Sequence, residues 1–355
     1  MPKPYARTRR IWAGLGCLAL LAGLSACGAA DESLPPSVTP GETLTGDPAL
    51  VIAHRGASGL FPEHTLEAYR AAINAGADYI EPDLVMTRDG VLVARHERYL
   101  SETTNVSTRP EFGDRQTLKR VGATLRRDWY VEDFTLAELK TLRARQPRED
   151  RPSKHDDRYE IPTFGEVLAL AKQSAEAGRP VGVYPELKEA LYYEGQGKDM
   201  PAAVMDAIRE AGLAEAGVPL LVQSFEPDVL RRLDAETDWR LVQLLPVTSG
   251  PELSFDEIAA YAEGIGPWKL LVAQSRDGPK AYVARAHAAG LFVHPYTFRD
   301  DELGAGYETS EAELRDAFDW GVDGLFTDFP GTAVRVRDTR EAAREPGTTS
   351  ETTAE

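Results

Sequence analysis

The chain has 355 residues, of which 40 are Lys or Arg and 57 are Asp or Glu, for a net charge of −17 at pH 7. A chain this acidic repels a phosphate backbone, which argues against a nucleic-acid binder; an anionic substrate would need local positive charge from a metal ion or a few placed Arg and Lys. Only two cysteines occur, Cys17 and Cys27, and the first is expected to leave with an N-terminal signal, so the fold must rest on its core and not on a disulfide.

Lys3, Arg7, Arg9 and Arg10 make a basic start, followed by an uncharged run over residues 11–26. That run is shorter than the roughly 20 apolar residues of a spanning helix, and residues 1–26 fit a secretory signal peptide. It ends Leu24-Ser25-Ala26-Cys27-Gly28, small residues before a cysteine, which matches the bacterial lipoprotein signal: cleavage would leave Cys27 N-terminal and lipidated. Plain cleavage nearby, with Cys27 incidental, is the alternative, and Thr8-Arg9-Arg10 leaves twin-arginine export open. The protein is then expected to be exported, either held at the outer face of the cell membrane by this lipid alone or released. Residues 27–48, rich in Pro, Thr, Gly and Ser, read as a flexible tether, and residues 340–355 read as a disordered tail.

Between them, residues 49–339 alternate short β-branched runs with amphipathic stretches. The strand-like runs are 49–54, 79–85, 181–187, 219–225, 240–245, 270–274, 291–297 and 324–328. Helical patterns cover 65–75, 164–177, 200–211, 226–233, 255–263, 279–289 and 310–319, and Gly76, Gly178, Gly212, Gly290 and Gly321 stand where helix C-caps are expected. Eight strands alternating with helices predict an α/β fold of the TIM-type (β/α)8 barrel, with an open doubly wound sheet as the alternative. Two places break the rhythm. Thr87-Arg88-Asp89-Gly90 is a turn signal that predicts a hairpin returning over 91–96. Residues 98–160 form a charged insertion with one short helical pattern at 136–142.

The chemistry gathers at the ends of the first three strands: His54-Arg55-Gly56 and Pro62-Glu63-His64-Thr65, then Glu81-Pro82-Asp83 with His96-Glu97, then Glu186-Leu187-Lys188. Glu81 and Asp83, two apart on a strand, point to one face. If that face is the barrel interior, the two carboxylates repel unless a cation binds them, and Glu186 on the next strand could complete an oxygen set suited to a hard cation. An exposed pair of acids is the simpler reading of Glu81 and Asp83 taken alone. Two histidines flanking a phosphodiester could serve as base and acid near neutral pH, Arg55 offers a fork that fits a phosphate, and Lys188 adds charge. All of these fall on the barrel face where active sites sit.

In order and spacing, His54-Arg55-Gly56-Ala57-Ser58-Gly59, Pro62-Glu63-His64-Thr65, Glu81-Pro82-Asp83-Leu84-Val85-Met86-Thr87, His96-Glu97 and Gly324-Leu325-Phe326-Thr327-Asp328-Phe329-Pro330 resemble the glycerophosphodiester phosphodiesterase family. The insertion, with Trp129-Tyr130 and Asp133-Phe134-Thr135-Leu136, is similar to that of the family's periplasmic branch. The resemblance implies that Glu81, Asp83 and Glu186 bind a divalent cation, usually Ca²⁺, with Mg²⁺ as the alternative. It implies that His54 and His96 are the acid/base pair, that Arg55 and Lys188 hold the phosphate, and that Glu63 is a further ligand or the partner orienting His54. The implied substrates are glycerophosphodiesters such as glycerophosphocholine and glycerophosphoethanolamine, cleaved to sn-glycerol 3-phosphate and an alcohol. Lysolipids, phospholipids or glycerol-phosphate wall polymers would use the same site. A solute-binding lipoprotein that captures phosphodiesters is the alternative from another class. No protein partner is implied.

Overall fold

The protein is described from a computed structural model over residues 39–246 and 253–344; the expected signal peptide, Cys27 and the end of the chain after residue 344 lie outside the described residues. Among the described residues there are thirteen strands: β1 (Leu50–His54), β2 (Tyr79–Glu81), β3 (Asp83–Met86), β4 (Leu92–Ala94), β5 (Thr117–Val121), β6 (Thr124–Asp128), β7 (Gly182–Val183), β8 (Glu186–Leu187), β9 (Leu221–Ser224), β10 (Arg240–Leu245), β11 (Gly264–Pro267), β12 (Phe292–Val293) and β13 (Gly324–Thr327). β2 and β3 are one strand interrupted at Pro82, and β7 and β8 are one strand interrupted at Tyr184-Pro185. One sheet runs β13-β1-β2-β7 and another β12-β11-β10-β9-β8-β3-β4, with every barrel pairing parallel. The ring closes where the segment after β12 meets β13: Phe298 bridges Thr327 in parallel, and the Phe298 N–H donates to the Phe326 carbonyl at 2.9 Å. This is the expected eight-stranded barrel.

The crossover helices form where their caps and apolar stripes allow. Helix Leu66–Asn74 starts at Thr65, whose hydroxyl accepts from the Ala68 N–H, and it buries Ala68, Tyr69, Ala72 and Ile73 on one face. Helix Phe164–Glu176 starts with a reciprocal capping box between Thr163 and Glu166. Inside the barrel, Ile52, Tyr79, Tyr184, Leu221, Val242, Phe292 and Phe326 form a distinct apolar layer. It is the floor beneath the mouth at the C-terminal ends of the strands.

Four expectations need correction. The run at 270–274 is not a strand: residues Lys269–Ala273 are a helical turn, and the sixth barrel strand is β11. The sequence Gly-Ile-Gly-Pro has poor strand propensity, but the barrel requires it there. A side chain at Gly264 would put its Cβ 2.2 Å from the Phe292 ring, so only glycine leaves room for that ring in the floor. The insertion holds, besides its helical turn at Leu136–Leu139, an antiparallel ribbon of β5 and β6 whose strands carry Lys and Arg on both faces and so lack an apolar alternation. The last helix, Pro330–Arg344, continues past residue 340 and is tied back by Arg340 to Asp319 (2.8 Å). At the other end, Leu44, in the expected tether, already docks on the barrel, donating its N–H to Asp323 at 2.6 Å. No helix among the described residues is long and apolar enough to cross a membrane.

His294 sits in the floor, 1% exposed, with Nδ1 3.3 Å from the Tyr184 hydroxyl. Burial, and then the Arg240 charge, hold it well below its ordinary value of 6.5. As pH falls through 6.5 the unfolded chain takes up a proton that native His294 refuses, so its contribution to stability is intact above that pH and is lost below it. The urea midpoint is expected to drop from neutral to mildly acid pH in the native chain and to drop less in His294→Gln; an equal drop in both would contradict this account.

Candidate active site

Parallel register assembles the site. His54 pairs with Glu81, Asp83 with Glu186, and Glu186 with Gln223, so four neighbouring strands place these side chains around one mouth. His54, Glu81, Glu186 and Gln223 line a cavity of about 170 Å³ together with Arg55, His96, Lys188, Phe225, Trp268 and Tyr296. A larger cleft of about 850 Å³ lies at the helices Ser310–Asp319 and Pro330–Arg344 and contains none of these groups.

Glu81, Asp83 and Glu186 are buried, and one oxygen from each lies within 4.8 Å of the others. Burial raises Glu81 well above the ordinary carboxylate value, and repulsion from Asp83 and then Glu186 adds to it. Burial likewise raises Glu186 to about 8, against the pull of Lys188 and with the push of Asp83. Asp83 goes the other way: burial would raise it, but Lys188 and the hydrogen bond from His64 outweigh burial and hold it well below. Its Oδ1 has no hydrogen-bond partner. Two carboxyls held near-neutral beside an ionised one with an unused buried oxygen is the donor set a hard divalent cation satisfies. The residues therefore fit a metal ion.

The surrounding groups fix these ligands. His64 is buried and lowered by that burial despite Asp83, so its neutral ring donates from Nε2 to Asp83 (2.9 Å) and accepts from the Tyr69 hydroxyl at Nδ1 (2.7 Å). Gln223 donates to Glu81 (3.1 Å), and Lys188 Nζ lies 3.1 Å from Glu186. Arg55 has a left-handed backbone (φ 61°), which turns the chain at the strand end; its N–H donates to Glu81 at 2.9 Å and its guanidinium reaches Glu63 at 2.9 Å and Asp83 at 3.3 Å. A Cβ on the following Gly56 would lie 2.6 Å from the Ala68 backbone, so this tight turn against the first helix admits glycine only. Glu63 is held down to about 2, burial being overcome by Arg55 and then His64. It pairs with Arg55 and belongs neither to the carboxylate cluster nor to His54, contrary to the expectation for that residue.

His54 is oriented instead by Asp328, Nδ1 to Oδ1 at 2.6 Å. Burial, and then Arg55, push His54 down to about 4 although Asp328 opposes them. The ring is thus neutral near pH 7, its Nδ1–H donates to Asp328, and Nε2 is left free as an acceptor. His96 has the same build with Glu97 at Nδ1 (2.8 Å), and burial, Arg55 and Lys188 hold it well below 6.5.

Residues 54–332 match the Glycerophosphoryl diester phosphodiesterase family. Among similar proteins, a glycerophosphodiester phosphodiesterase of Arabidopsis thaliana is 34% identical, covering 79% of this chain and 84% of its own, and one of Haemophilus influenzae is 31% identical, covering 80% and 88%. The chain belongs to the glycerophosphoryl diester phosphodiesterase family. It is an enzyme, a hydrolase. The fold also matches the crystallised phosphodiesterase of Oleispira antarctica in complex with the product sn-glycerol-3-phosphate (TM-score 0.61, 24% identity, 84% of this chain and all of that one).

In this phosphodiesterase the support behind His54 reaches into the insertion. Asp328 Oδ2 accepts from Arg151 (2.6 Å) and Arg299 (2.8 Å), and Arg151 is in turn clamped by Asp301 (2.6 Å). The two guanidiniums and His54 outweigh burial and keep Asp328 ionised. Asp328, Arg299, Arg151, Gln223 and His64 were given no role by the sequence. Asp328 lies in a motif visible there, whereas Arg151 is 97 positions from His54, in a stretch without pattern. Of the aromatic residues near the insertion and the last strands, Trp129, Tyr130, Tyr193 and Phe298 are core, Tyr192 covers Arg98, and Tyr296 lines the cavity.

Two outcomes follow from this geometry. Asp328→Asn leaves the imidazole without its anionic partner, and kcat should fall by about 10²-fold or more with little change in KM. Separately, Glu186 keeps its proton in the fold until about 8 but loses it near 4.5 when unfolded, so the metal-free protein loses stability through this group as pH rises between those values. Saturating Ca²⁺ should raise Tm by several degrees, since a ligand at a hundred times its Kd adds about 2.7 kcal/mol. This gain should grow over the same pH window and vanish in Glu186→Gln. A melt insensitive to Ca²⁺ would remove the cluster as a metal site.

Proposed function

We propose that the protein hydrolyses glycerophosphodiesters such as glycerophosphocholine and glycerophosphoethanolamine to sn-glycerol 3-phosphate and an alcohol, with His54 and His96 exchanging the protons. The observation that carries this is the opening of two neutral, carboxylate-oriented imidazoles into the same small cavity as Arg55, Lys188 and the Glu81 and Glu186 carboxyls of the cluster. The Oleispira antarctica protein, crystallised with sn-glycerol-3-phosphate, supports the product assignment. Arg55 and Lys188 draw in the phosphate and offset its charge. One imidazole takes a proton from the nucleophile at its free ring nitrogen, and the other returns one to the leaving oxygen. By the family resemblance the nucleophile would be the neighbouring glycerol hydroxyl, giving a cyclic phosphate that water opens with the two imidazoles exchanging roles; direct attack by water would use the same residues, and a trapped cyclic phosphate separates the two. Glu81, Asp83 and Glu186 would hold a divalent cation, Ca²⁺ with Mg²⁺ as the alternative, which when bound stabilises charge on the phosphoryl oxygens. Export with Cys27 lipidated, from the signal at residues 24–28, places this activity outside the cell membrane.

A coupled assay for sn-glycerol 3-phosphate released from glycerophosphocholine tests the reading. Release is expected to disappear with chelator and to return with Ca²⁺. His54→Ala and His96→Ala should each lose about 10²–10⁴-fold in kcat. No release under any divalent metal would refute the assignment.

A further inference from the structure

The β5–β6 ribbon does not belong to the barrel and touches none of the catalytic groups. Its register puts Leu118 opposite Arg127 and Arg120 opposite Leu125, so these four side chains share one face. All four are exposed, Leu118 by 54% and Leu125 by 62%, the two largest exposures among the large apolar residues of the described chain. The other face is spent internally: Lys119 pairs with Glu132 and Asp133, and Arg126 with Asp128 and Glu102. Arg120 and Arg127 have no carboxylate within ion-pair distance among the described residues. Residues 115–128 carry five basic side chains against one acid, in a chain whose net charge is −17. The tip, Val121-Gly122-Ala123-Thr124, is uncharged.

We propose that this outward face is a docking surface for an anionic phospholipid bilayer, the leucines entering the interface and the arginines meeting lipid phosphates. Two exposed leucines, each opposite an arginine without a carboxylate partner, are what an anionic interface rewards, and the ribbon alone gains nothing from exposing them. The ribbon is held firmly for this purpose. Arg98 donates to the Arg120 carbonyl (2.9 Å), pairs with Glu132 (2.6 Å) and Glu189 (2.8 Å), and packs 3.8 Å from the Tyr192 ring. Leu60 and Leu191, the next most exposed large apolar residues, also lie on segments leaving the C-terminal ends of barrel strands, the side on which the active site opens. Docking would therefore turn the catalytic mouth toward the lipid surface.

The test uses the full chain carrying Cys27→Ser, so that no acyl anchor contributes, and vesicles of phosphatidylcholine with and without phosphatidylglycerol. Sedimentation should show binding to the anionic vesicles that weakens with salt. Arg120→Gln/Arg127→Gln should bind about fivefold more weakly for each arginine removed. Leu118→Ser/Leu125→Ser should bind several-fold more weakly, with the remaining binding keeping its salt dependence. Hydrolysis of soluble glycerophosphocholine should be unchanged in both variants, which shows that each folds. Binding that both variants retain overturns the proposal, as does self-association of the native chain that either variant abolishes, which would make the face a contact between copies.

Discussion

Three carboxylates in one buried mouth cannot all carry charge, and the structure is organised around that repulsion. Parallel register brings Glu81, Asp83 and Glu186 together; burial and mutual repulsion keep two of them near-neutral, and Lys188 and His64 let Asp83 stay ionised. The arrangement is unfavourable for the fold alone, since an apolar floor layer could have continued to the mouth at no such cost. Its value appears only when a cation and a phosphate enter. The strain is stored in side chains whose neighbours are fixed by the strand ladder, so the site cannot relieve it by moving apart.

The acid/base role proposed for His54 and His96 sets a different requirement. A general base must be neutral and aimed, and a buried imidazole is neutral without further help but not aimed. Asp328 and Glu97 supply the aim, each occupying the Nδ1 side of its ring. For His54 the orienting carboxylate is itself held by two arginines, one from the segment after β12 and one from the insertion. The insertion is thus structurally continuous with the catalytic centre at Arg151, while its ribbon faces the solvent some thirty residues earlier in the sequence. One segment serves both the back of the site and the outer surface.

Much of the fold was legible in the sequence because its barrel strands and helices carry local signals. Strands such as β1 and β10 are short, mostly apolar runs buried on both sides, and helices begin at Thr65 and Thr163 and end before glycine. The misplacement of the sixth strand has the opposite cause. Gly264-Ile265-Gly266-Pro267 is a strand because Phe292 needs the space beside it, a fact about another element and not about this tetrapeptide. The β5–β6 ribbon escaped notice because its cations on one face are paired with Glu132, Asp133, Asp128 and Glu102, and no periodicity records which charges are paired.

By itself the sequence determined the fold class, the family and the residue types at the strand ends, because side-chain period and motif spacing are local properties of the chain. Only the tertiary structure decided who partners whom. It assigned Glu63 to Arg55, Asp328 to His54 and Arg151 to Asp328. Hydrogen-bond partners are chosen by the closure of the barrel and the packing of the insertion over it, and these bring together residues as distant as His54 and Asp328, 274 positions apart, which no local pattern can encode.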